Sequence, residues 1–114
     1  MRFYTALTAA GVLAFALSTS VSAAGSASVE PAQIAAAKTA ADHEAIAKAY
    51  EDDATELDRK VELHKAMATA YKAGKSASWV GNHCARIAQD FKAAAHEYRA
   101  LATEHHKLAQ QAGK

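Results

Sequence analysis

The side chains best equipped for chemistry in this chain are six histidines and a single cysteine. Imidazole and thiolate are ligands for copper or zinc. Neither H-x-x-x-H nor C-x-x-C occurs, so a metal site would have to be assembled from two separate segments. The haem-attachment pattern C-x-x-C-H is also missing. Cys84 beside a histidine would be the minimum for a thiol nucleophile and its base. No orienting acid, oxyanion donors or cleft accompany it in the sequence pattern, so catalysis is not expected and the chain reads as a non-enzyme. Glu51-Asp52-Asp53 lacks the glycine turn and ligand spacing of a calcium loop and reads as a solvated helix face.

The elements that must position these residues follow from the apolar spacing. His43, Ala47, Tyr50, Ala54, Leu57, Val61, His64, Ala68 and Tyr71 are separated by alternating steps of four and three. Cys84, Ala88, Phe91, Ala95, Tyr98, Ala102, His105 and Ala109 repeat that rhythm. Both stripes are coiled-coil heptads, and the charged residues fall off them. Thr39 to Asp42 is a capping-box pattern that starts a helix near residue 40. Gly74 is a natural stop for it. Ser78 can cap a second helix running to about Gln111, with Gly81 a weak point in its first turn. The expected fold class is all-α: two long amphipathic helices in an antiparallel hairpin.

The two stripes form an internal repeat offset by 41 residues: Ile46, Ala47 and Tyr50 correspond to Ile87, Ala88 and Phe91, and His64 corresponds to His105. A turn at Gly74 pairs residues whose numbers sum to about 148. His43 then faces His105, and His64 faces Cys84. These four are the candidate metal ligands. The pairs stand three heptads, or ~31 Å, apart. His83 neighbours the second pair, and His106 with Asp42 or Glu44 neighbours the first. His96 falls on the outer face. Ile46, Met67, Ile87, Leu101 and Leu108 widen the stripes beyond what two helices can cover, so dimerisation into a four-helix bundle is expected. A twofold could then double a two-ligand site to four ligands. Leu57 lies at mid-seam, where a charge should be least tolerated.

Composition agrees with this architecture. Thirty-two of the 114 residues are alanine, against five glycines and one proline, which favours long helices and disfavours sandwiches, barrels and parallel sheets. Residues 1–23 have the form of a cleaved signal peptide: Arg2, an apolar run from Ala6 to Leu17, and small residues at Val21-Ser22-Ala23. The run is short of the ~20 residues that cross a bilayer, so no membrane insertion is expected after cleavage. The product would be periplasmic or secreted. Residues 24–38 read as a flexible or partly helical leader, and 39–114 as the hairpin domain. From residue 24 onward 12 basic residues meet 12 acidic ones, which excludes a strong basic field for nucleic acid. Two functions remain in view: a small helical protein binding copper or zinc, or a stress-related chaperone or envelope adaptor that offers its apolar face to a partner.

Overall fold

The computed structural model describes residues 28–74 and 77–114, so the signal-peptide assignment lies outside the described residues. Helix makes up 86% of what is described, with no strand among those residues. Three helices occur: α1 (Pro31–Ala36), α2 (Ala40–Ala73) and α3 (Val80–Ala112). The long pair packs antiparallel, as the seam contacts at both ends show: His43 against His105, and Ala68 against Gly81.

Each helix start has a local cause. Pro31 occupies the first turn of α1, where its missing N–H costs nothing. Thr39 and Asp42 form the full reciprocal box: Asp42 N–H donates to Thr39 Oγ1 at 3.1 Å, and Asp42 Oδ2 accepts from Thr39 N–H at 2.9 Å. The amide of Lys38, followed by that of Thr39, holds the Asp42 carboxyl below the usual carboxylate range. Two expectations at the turn need correcting. Gly74 ends α2 with φ −82° and ψ 129°, in extended backbone, so the stop does not use glycine's left-handed region. Ser78 provides no side-chain cap. Instead the carbonyls of Ala77, Ser78 and Trp79 each accept from the amide three residues on, and α3 grows out of this tight turn with Trp79 as its N-cap.

Packing sorts the heptad by position. Taking Ala47 and Ala88 as a positions, the a residues are Ala or Val, with Gly81 beside the turn, and lie deepest: Ala47 and Ala54 at 0% exposure, Ala95 at 1%. Small residues there let the two backbones approach closely. The d positions are held by His43, Tyr50, Leu57, His64 and Tyr71 on α2 and by Cys84, Phe91, Tyr98 and His105 on α3. These lie toward the face of the hairpin that also carries the g positions, including Ile87, Leu101 and Leu108. Those three remain 39%, 43% and 40% exposed. The opposite face bears the e positions and the cross-helix polar links, Asp58 to Arg99 and Glu44 and Glu51 to His106.

Ile46 departs from the expected exposed stripe. It is 5% exposed because Val29 and Ala37 fold back to cover it together with Tyr50 and Ala102. Asp53 also departs from expectation. The acidic run predicts a solvated side chain, yet Asp53 is 6% exposed, and neither carboxylate oxygen has a hydrogen-bond partner among the described residues. It lines a groove with Ser28, Leu57, Lys60 and Tyr98.

Gly81 is not a weak point. A Cβ there would stand 2.7 Å from the Ala68 carbonyl and 2.9 Å from Lys72 Cγ, so the glycine sets how closely the helices meet beside the turn. Alanine in place of glycine normally favours a helix by ~1 kcal/mol. Gly81→Ala is expected to do the reverse here and lower the melting temperature. A rise in Tm would show that the close approach is not a constraint.

Candidate metal site and histidine clusters at the open end

The register sum of 148 recurs at two levels of the seam. Tyr50 meets Tyr98 with ring centroids 5.7 Å apart, and His43 meets His105 with centroids 5.3 Å apart. Between the two histidines Nδ1 lies 3.1 Å from Nδ1, so one ring N–H donates to the nitrogen of the other. Tetrahedral zinc with Zn–N bonds of ~2.05 Å separates its nitrogen ligands by about 3.3 Å. The two Nδ1 atoms are thus spaced like two corners of such a site. His105 is 8% exposed. Burial, with a smaller contribution from His43, pushes its pKa below the usual 6.5, which keeps the ring neutral and able to bind a metal.

His64 and Cys84 occupy d positions one against the other in the same register. His64's ring is tilted against Phe91, 5.4 Å away, and so leans toward the open end, the direction in which helical side chains of α2 point. Its Nδ1 is buried without a hydrogen-bond partner among the described residues. Cys84 is buried and its thiol is free. Of the expected pairs, His43–His105 meets in direct contact. No contact between His64 and Cys84 is described; the described contact of His64 is to Phe91. Among the described residues no group of three or more His, Cys, Asp and Glu side chains converges on one point.

His106 forms a second cluster on the opposite face. Its Nδ1 lies 2.8 Å from Glu44 Oε2 and its Nε2 lies 2.9 Å from Glu51 Oε1. Glu44 was anticipated. Glu51 was missed, although it stands seven residues after Glu44 and so shares its heptad position. The hydrogen bond to Glu51, then that to Glu44, raises the His106 pKa above 6.5. Protonated His106 donates from both nitrogens and fastens α3 to two turns of α2. His83 lies near the turn, with Nδ1 3.0 Å from Arg86 and its ring edge-on to Trp79. His96 is exposed on the outer face.

The two open-end histidines have opposite pH linkage. A raised folded pKa makes the His106 contribution complete below pH 6.5, and it is lost as pH rises through the folded value. The lowered pKa of His105 makes its contribution complete above 6.5, and it is lost as pH falls through the folded value. His106→Gln is therefore expected to lower Tm most near pH ~6 and progressively less on the alkaline side. A Tm difference that grows from pH ~6 to ~9 would contradict the clamp.

No protein-family model matches the chain, and no curated protein or solved structure matches it.

Proposed function

We propose that this protein is a small non-enzymatic metal binder of the periplasm or extracellular space. It takes copper or zinc through the seam residues His43, His105, His64 and Cys84, and works as a homodimer in which two hairpins make a four-helix bundle. The observation that carries the reading is the 3.1 Å separation of His43 and His105 Nδ1 on two different helices. An imidazole pair at that spacing can share an ion after the proton between the two Nδ1 atoms leaves and the rings turn slightly toward a common point. The signal-like residues 1–23 support the location. No helix of the described residues is long and apolar enough to cross a membrane.

A second reading is favoured by the exposed Ile87, Leu101 and Leu108. They would serve a chaperone or envelope adaptor that holds a partner's apolar segment. Isothermal calorimetry with zinc and with Cu(I) separates the two. Micromolar or tighter binding that weakens as pH falls through ~6.5 supports the metal reading. Absence of binding up to about millimolar metal removes it and leaves the adaptor.

A further inference from the structure

The seam carries two separate two-ligand pairs, and a symmetry between them gives their separation a use. His43 and His64 are centred on the Asp53–Ala54 level of α2. Cys84 and His105 are centred on the Ala94–Ala95 level of α3. Those centres sum to 148, so both pairs are equidistant from one level of the hairpin. A twofold axis through that level, perpendicular to the helices, would turn one copy end for end and lay its His64–Cys84 level onto the His43–His105 level of the other.

Independent features favour that arrangement. Along α3 the g positions are Val80, Ile87, Ala94, Leu101 and Leu108, a stripe symmetric about Ala94. End for end, Ile87 meets the second copy's Leu101 and Val80 meets its Leu108, with Ala94 of α3 and Asp53 of α2 at the axis. Charge divides about nearly the same level. Residues 59–74 and 77–89, next to the turn, hold five basic side chains and one acidic. Residues 38–58 and 90–114, toward the open end, hold six basic and ten acidic. End-for-end docking places the basic half of each copy on the acidic half of the other, whereas parallel docking stacks like on like. The d positions share a face with this stripe, so His43, His64, Cys84 and His105 lie on the side of the hairpin where the second copy would sit. The buried, unpartnered Nδ1 of His64 is then a donor atom awaiting a ligand.

We infer that two copies of this chain dock end for end through the d/g face and complete two identical three-histidine, one-cysteine sites for a tetrahedral divalent transition-metal ion, each site taking His43 and His105 from one copy and His64 and Cys84 from the other. The inference rests on the metal reading and adds the assembly that closes the coordination sphere, one ion per chain. Ser28, beside Tyr98 in the groove, and Val29, packed on Tyr50, occupy this face and must give way. Their departure uncovers the Ile46–Tyr50 cluster, and the docked copy must cover that cluster in turn.

Complementation between two variants tests it, with Co2+ as the probe and the thiol kept reduced. One chain carries His43→Ala and His105→Ala; the other carries His64→Ala and Cys84→Ser. Wild type is expected to show thiolate-to-cobalt charge-transfer absorption at two ions per dimer. Each variant alone should lack that absorption. An unfolded and refolded one-to-one mixture should recover about one quarter of the wild-type intensity, because half the dimers are mixed and each holds one whole site. Leu101→Glu, which alters an exposed residue and leaves the hairpin intact, should yield a monomer without the absorption. Full absorption from the first variant alone would place the site within one chain and overturn the proposal. So would wild type binding Co2+ with no thiolate absorption, which keeps the His43–His105 reading and discards the shared site. No binding of Co2+ or zinc by wild type overturns both.

Discussion

Ala54→Asp is expected to abolish the folded hairpin near physiological temperature. Ala54 has no exposed surface and lies near the middle of α2, in the layer of small residues between the helices. A carboxylate there has neither room nor a partner, and an uncompensated buried charge costs about 3–5 kcal/mol. A chain of this size has a total stability of only ~5 kcal/mol. The neighbouring Asp53 already holds an unpartnered buried carboxylate and would add repulsion. Leu57→Asp, the substitution singled out by the heptad alone, should be milder, because Leu57 is half-buried on a groove that Lys60 also lines. Thermal melts followed by far-ultraviolet circular dichroism decide the order. If Leu57→Asp is the more damaging, the deepest layer has been placed on the wrong face.

The second large effect concerns affinity. His105→Ala removes one of two nitrogens already held 3.1 Å apart, so zinc affinity should fall by about two orders of magnitude or more. His96→Ala should change nothing, since that side chain is exposed on the outer face. Cys84→Ser should weaken Cu(I) binding more than zinc binding, because thiolate is the softest ligand in the set. Equal losses for His96→Ala and His105→Ala in calorimetric titration would mean that the metal is held non-specifically by surface imidazoles.

The hairpin and its register were legible in the sequence because they follow from one repeated pattern. The four-three spacing and the turn at residues 74–78 are enough to predict that His43 meets His105 and that Tyr50 meets Tyr98, as found. What escaped was set by contacts the heptad does not encode. Ile46 is covered because Val29 and Ala37 fold back across it, and residues 29–37 show no apolar periodicity of their own. Glu51 joins His106 because a long side chain bridges a full heptad, beyond the level-to-level pairing used to anticipate Glu44. Gly81 resembles a helix breaker in one dimension and proves to be a close-approach residue only when the facing Ala68 carbonyl is known. Asp53 looked solvated as part of an acidic run, yet its g position places it on the face that Ser28 adjoins.

Native mass spectrometry of the chain lacking residues 1–23, purified without chelators and exposed to zinc, tests the metal-binding dimer most directly because it weighs assembly and metal together. The expected spectrum is a dimer carrying two zinc ions, with both metal and dimer diminished when the pH is lowered through ~6.5. A metal-free monomer under the same conditions would contradict the metal-binding dimer.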